Sequence, residues 1–134
     1  MSDAIAVARY KLVNNANLTE VIPAANIYAG ITPPNATAPC IGISSISTTQ
    51  RNTVSMNSAT YYAAERVQVT VYAKTYPLQK SYMALVRAAL GNANGVINGV
   101  TCDSIIPAGD GPDIFDDVLV IYEQSQDFMV SYAR

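Results

Sequence analysis

The sequence predicts an α+β fold, a mainly antiparallel β-sheet packed on one face by two helices. Three observations carry this. Val67, Val69, Val71 and Ala73 alternate with Arg66, Gln68, Thr70, Tyr72 and Lys74, a period of two with β-branched residues on one side. Directly after Tyr76-Pro77 the period changes, and Leu78, Tyr82, Leu85, Val86, Ala89 and Leu90 form one helical stripe, with Gln79, Lys80 and Arg87 pointing elsewhere. The order along the chain is helix, strands, helix, strands, within the 134 residues of a single domain (1–134).

The elements follow in order. Ser2 can cap a first helix with Asp3 in its first turn, and Ile5, Ala8, Leu12 and Ala16 recur at helical spacing. Asn14, Asn15 and Asn17 weaken its far end, a short helical turn over 18–21 is expected, and Pro23 stops it. A short strand is expected over 27–29. Three prolines and a glycine make 30–39 a connection, and alternation after it predicts a strand over 40–47. Residues 47–60, rich in Ser, Thr and Asn, read as a long loop or hairpin tip. The alternating strand comes next, beginning as early as Tyr61, and then the helix, where Pro77 suits the first turn and Gly91 with Asn92 ends it. Asn98-Gly99 marks a tight turn between a brief strand from Val96 and a strand over 100–106. Residues 107–117 read as a loop. Residues 118–122 and 128–132 complete the sheet, as two strands or one long bent one.

Composition narrows the function. No apolar run reaches the ~18–20 residues that span a bilayer, and the first twenty residues lack a signal-peptide layout, so synthesis in the cytoplasm is expected. Charged residues are 13% of the chain, with nine tyrosines and no tryptophan. That suits a subunit with an extensive contact surface; a monomer with a neutral Ser/Thr/Asn surface is the alternative. Charge is unevenly placed. Residues 1–87 hold seven bases against three acids, net +4, and residues 88–134 one base against seven acids, net −6. Such asymmetry can orient one subunit against the next, or cancel inside one monomer as the two parts fold together.

No arrangement points to catalysis. Histidine is absent, which removes the usual base of a nucleophilic triad and the commonest nitrogen ligand of zinc. No Ser-x-x-Lys motif offers a substitute. Cys40 and Cys102 form no CxxC and read as buried thiols. The acids at 110–117 invite a calcium reading, but from Asp110 the third position is Pro112 and the sixth Phe115, so the loop pattern fails. Those aspartates read as turn-forming, solubilising or partner-facing. Gly91-Asn-Ala-Asn-Gly95 lacks the lysine of a phosphate-binding loop. No catalytic residue, cofactor or metal is expected.

Several segments carry a resemblance. Glu65-Arg-Val-Gln-Val-Thr-Val-Tyr-Ala-Lys-Thr-Tyr76 is followed by a helix closing on Leu85-Val-Arg-Ala-Ala-Leu90. An N-terminal helix precedes Asn26-Ile-Tyr-Ala-Gly30, Pro39-Cys-Ile-Gly-Ile43 follows a Pro-rich turn, and the chain closes on Tyr122-Glu-Gln-Ser-Gln-Asp-Phe-Met-Val-Ser-Tyr132. In this order the segments resemble phage tail completion proteins of the tail-terminator type. The resemblance implies a structural virion protein that forms a ring, usually a hexamer, at the head-proximal end of the tail. Such a ring ends tube growth and joins tail to head. Its implied partners are further copies of itself, the tail tube protein and the head-tail connector, with no membrane and no sequence-specific nucleic acid, while DNA can pass through the lumen. A contact of Arg66, Lys74 and Arg87 with the acidic part of a neighbour, at Asp113, Asp116 and Asp117, is then expected. The alternatives are a head-closure or connector protein of the neck and a small-ligand or peptide-binding domain using the 107–117 loop. An enzyme using the clustered aspartates ranks last.

Overall fold

The computed structural model describes residues 3–30, 32–33, 36–51, 62–91 and 94–133, with the side chains of residues 50 and 51 left out. Helix α1 (Asp3–Val13) is followed by the short α2 (Ala16–Thr19) and a 3-10 turn (Ala24–Asn26). Strands β1 (Ile27–Ala29), β2 (Cys40–Arg51) and β3 (Tyr62–Ala73) lead into helix α3 (Tyr76–Leu90). The chain ends with β4 (Gly95–Ile97), β5 (Val100–Asp110), β6 (Ile114–Asp116) and β7 (Ile121–Ala133). The strands form one sheet of order β1-β2-β3-β7-β5-β4, with β6 also on β7; β1 pairs parallel to β2, and the other pairings are antiparallel.

The β3–β7 ladder lies at the centre. It runs from Tyr62 opposite Ala133 to Ala73 opposite Tyr122 without a register shift. Val67, Val69 and Val71 are fully buried on the face that α1 and α3 cover, beside Phe128 and Val130 of β7. Each such side chain contributes roughly 1.5–3 kcal/mol by leaving water. Ile5, Ala8 and Leu12 of α1 join this core as their spacing predicts, but Ala16 does not; it opens α2 and is exposed. One of the asparagines that weaken the end of the first helix has a specific use. Asn15 is the N-cap of α2, its side-chain oxygen accepting from the Leu18 N–H at 3.1 Å.

Thr75 caps α3, its hydroxyl accepting from the Leu78 N–H at 3.3 Å, with Pro77 in the first turn as expected. The buried stripe of this helix differs from the expected one. Gln79, Met83, Val86, Ala89 and Leu90 are buried and Leu78 is exposed. Burying Gln79 is tolerable because its Nε2 donates to the Val71 carbonyl at 3.3 Å, anchoring helix to strand. Gly91 closes the helix with its N–H on the Arg87 carbonyl. The Ser2 cap, the Asn92 stop and the start at Tyr61 lie outside the described residues.

Three loop and strand expectations are corrected. The loop expected from residue 47 is strand as far as Arg51, because the polar Ser-Thr run of β2 pairs along β3 across a bulge at Ser45/Ser47. Residues 52–60 of that stretch lie outside the described residues. The loop expected over 107–117 is also mostly strand. β5 continues to Asp110 with Pro107 opposite Phe128, and β6 adds Ile114–Asp116 to the start of β7. Proline is accepted there because β4 ends before it, leaving an edge whose N–H has no ladder partner to lose. Of the strand expected over 118–122, residues 118–120 are instead a turn, and 121–122 open β7. Beyond that turn β7 is one long strand through Gln124-Ser125-Gln126.

Cys40 and Cys102 are both buried thiols. They sit on β2 and β5 with β3 and β7 between them. At about 4.8 Å per strand step they are beyond disulfide reach. Burial raises the Cys40 thiol to about 11.

The corrected α3 face gives a direct test. Gln79→Ala should destabilise the chain by about 1–3 kcal/mol in urea unfolding, through a lost buried hydrogen bond and a cavity. Leu78→Ala should stay within about 0.5 kcal/mol. The reverse ranking would contradict this helix orientation.

Candidate assembly surface

The bases and acids expected at a subunit contact fall into two groups. Most are engaged inside the chain. On the sheet face away from the helices, Arg66 Nε donates to Asp127 Oδ2 at 2.7 Å, and a terminal guanidinium nitrogen donates to the Ala108 carbonyl at 2.9 Å. On the helix side, Lys80 pairs with Asp113 and donates to Gln124 Oε1 at 2.6 Å. Arg87 donates to Gln126 Oε1 and lies 3.6 Å from Asp110 Oδ2. Gln124 Nε2 reaches the Gly111 carbonyl at 2.9 Å. A polar seam thus ties the flank of α3 to β7 and to the chain between β5 and β6. Tyr76 adds its hydroxyl to Asp113 Oδ2 at 3.1 Å, and the Lys80 bond holds the exposed Asp113 carboxyl below its ordinary range. The basic and acidic parts of the sequence therefore cancel in part within one chain.

Asp116 has a local task. Its Oδ1 accepts from the backbone N–H groups of Val118 and Leu119 at 3.0 and 3.1 Å, folding the 117–120 turn. Lys74 and Asp117 remain exposed and make no ion pair among the described residues. Of the six expected contact residues, these two keep their charge for solvent or a partner.

The same end of the sheet carries an apolar surface that the sequence pattern missed. Val118, Leu119 and Val120 are 85%, 61% and 57% exposed, three consecutive outward aliphatic side chains. Val120 has φ 54°, a left-handed conformation that costs a β-branched residue roughly 1–2 kcal/mol. Phe115 packs on Tyr122 with ring centroids 4.6 Å apart, and Tyr76 meets Tyr122 edge-on at 6.0 Å. Between this turn and residues 36–38 opens a cleft of about 530 Å³, with Lys74 on its wall and Leu119, Val120 and Ile121 along one side. A run such as Asp117-Val-Leu-Val-Ile121 reads as a buried strand by hydropathy. The signal against that reading is Asp116-Asp117, since aspartate opens turns by bonding the backbone two and three residues on.

Glu123, just beyond the turn, has its carboxyl raised by burial and further by Asp116. Among the described residues no group of three or more His, Cys, Asp or Glu is placed to hold a metal ion. No described helix is long and apolar enough to cross a membrane.

Two outcomes follow. Val120→Asn should stabilise the chain by about 1 kcal/mol in urea unfolding, because Asn tolerates the left-handed region and little burial is lost; a loss of stability would contradict the strain. The folded chain holds the Glu123 proton more tightly than the unfolded chain, so this group weakens folding as pH rises from the ordinary carboxylate range through the raised value. Glu123→Gln should therefore raise Tm at pH 7, with the gain vanishing near about pH 3.5, where both states are protonated. An equal gain at both pH values would assign it to packing.

The comparisons with known proteins bear on this surface. A family model described as Tail completion protein gp17 matches residues 9–117. No curated protein sequence matches. Among solved structures, a chain of the virion of a native gene transfer agent particle is similar over 97% of this chain and 94% of its own, at 14% identity and a TM-score of 0.70, which is a likeness of fold. A second solved chain, 15% identical over 100% of this chain and 96% of its own, aligns at a TM-score of only 0.49 and carries no argument. The matched segment holds the end of α1 from Arg9, the β3–α3 unit, the polar seam's bases and the acids that shape the exposed turn, and the chain belongs to the Tail completion protein gp17 family, structural proteins of the phage tail.

Proposed function

We propose that this chain is the subunit of a ring, a hexamer in the form the resemblance implies, at the head-proximal end of a phage tail. There it ends growth of the tail tube and joins the tail to the head. The observation that carries this reading is the exposed turn at 118–120 beside its cleft. Soluble monomers rarely keep a contiguous apolar patch of this kind uncovered, and one beside unspent charge suits assembly. Family membership supports the reading, as does the likeness of fold to a chain of a virion particle. Lys74 and Asp117 are the charged residues we assign to the contact. Arg66, Arg87, Asp113 and Asp116 act through the shape they give the surface. The role asked of the chain is contact and closure, and no catalytic step is assigned to it.

A head-closure or connector role would use similar surfaces and is separated by location. Immunogold labelling of intact virions should place this protein at the junction of tail and neck. Tails assembled without it should vary in length and fail to join heads. Label elsewhere, or tails of normal length lacking the protein, would reject the terminator role.

A further inference from the structure

The exposed turn needs an occupant, and the charges left after folding point to one. The turn is an apolar knob in an acidic collar, with Asp117 exposed beside Val118 and Leu119, and Asp116 and Glu123 behind. Arg66, Lys80 and Arg87 are spent on Asp127, Asp113 and Asp110. Among the described side chains the bases without an ion pair are Arg9, Lys11 and Lys74. Lys74 belongs to the cleft beside the turn itself, and Lys11 lies two residues along α1 from Arg9, adding to the basic character of that helix. Arg9 stands in a hollow of about 170 Å³ lined by Ala6, Tyr10 and Val13 of α1 and by Asn98 of the β4–β5 turn. Its Nε donates to the Ile27 carbonyl at 3.1 Å, which fixes the guanidinium at the flank of the helix. That hollow is below the roughly 300–1,000 Å³ of small-molecule sites and suits one anchoring side chain. It shares no lining residue with the cleft beside the turn.

We propose that the 117–120 turn of one subunit seats on α1 of the next copy of this chain, with Leu119 in the hollow and Asp117 facing Arg9. The inference rests on the ring reading above and assigns its contact surfaces. Knob and hollow are different patches, so the contact is heterologous, the kind that propagates and closes into a ring when the rotation allows. Its polarity agrees with the sequence, an acidic C-terminal knob on a basic N-terminal helix.

Cysteine cross-linking tests it. The chain carrying both Tyr10→Cys and Val118→Cys is oxidised mildly, alone and with purified tail tubes, and run on non-reducing gels. The native Cys40 and Cys102 are buried. The expected result is a ladder of disulfide-linked multimers from the double variant and no ladder beyond dimers from either single variant. Adding Leu119→Lys should lower the yield at least about tenfold, since it puts an ammonium beside the Arg9 guanidinium where an apolar anchor sits. An unlinked double variant under conditions where wild-type chain assembles would overturn this contact and leave the ring standing. A Val118→Cys chain carrying a thiol-coupled photo-crosslinker that joins the tube protein rather than its own copies would make that protein the occupant and overturn the contact as well. Wild-type chain that stays monomeric both alone and on tubes would sink the ring reading itself.

Discussion

The pairing of β3 with β7 is the constraint on which the rest of this structure depends. It joins residues about sixty apart in sequence along their full lengths, without a slip. A shift of one residue would turn Val67, Val69 and Val71 out of the core and Arg66 and Gln68 into it. The buried valines stabilise the pair by several kcal/mol. The Arg66–Asp127 ion pair, partly exposed, adds at most about 1 kcal/mol. Hydrophobic alternation therefore sets the register, and the ion pair follows from it.

Once β7 lies beside β3, the acidic end of the chain is delivered to the basic middle. Helix α3, held to β3 by Gln79 and the core, then finds Gln124 and Gln126 of β7 along its flank. Lys80 and Arg87 gather Asp113, from the stretch between β5 and β6, and Asp110, at the end of β5. That stretch is steered into β6, which delivers Asp116 to the point where its carboxylate bends the chain at 117–120. The exposed aliphatic turn is thus the end of a causal line that begins with strand register. Its strain at Val120 is held in place by ordinary folding contacts on both sides.

Much of the fold was legible from local pattern. The alternating strand, the Pro77 helix start, the Asn98-Gly99 turn and the early helix each depend on residues close together in sequence, and each is where the pattern places it. The misreadings share one cause. The polar run 47–51 is strand because β3 lies beside it, the Pro/Gly stretch 107–110 is strand because β7 does, and the apolar run 118–120 is a turn because Asp116 captures its N–H groups. In each case a hydrogen-bond partner for the backbone outweighs side-chain hydropathy, since pairing sets the path of the chain even where its side chains stay exposed. The candidate surface was legible only in outline. Lys74 and Asp117, two of the residues named for it, make no ion pair among the described residues, whereas Arg66, Arg87 and Asp113 are paired within the chain.

By itself the sequence determined the class of fold, the central strand-helix unit, and a charge asymmetry together with an order of segments that resembles the tail completion proteins. Those properties reside in composition and short-range periodicity, which survive without knowledge of neighbours. Only the tertiary structure decided which charges are spent, which helix face is buried, and that three aliphatic residues face outward beside a cleft. The reason is physical. Whether a charge or an apolar side chain is free for a partner depends on what the rest of the chain brings within a few ångströms of it, and that is fixed only when distant strands pair.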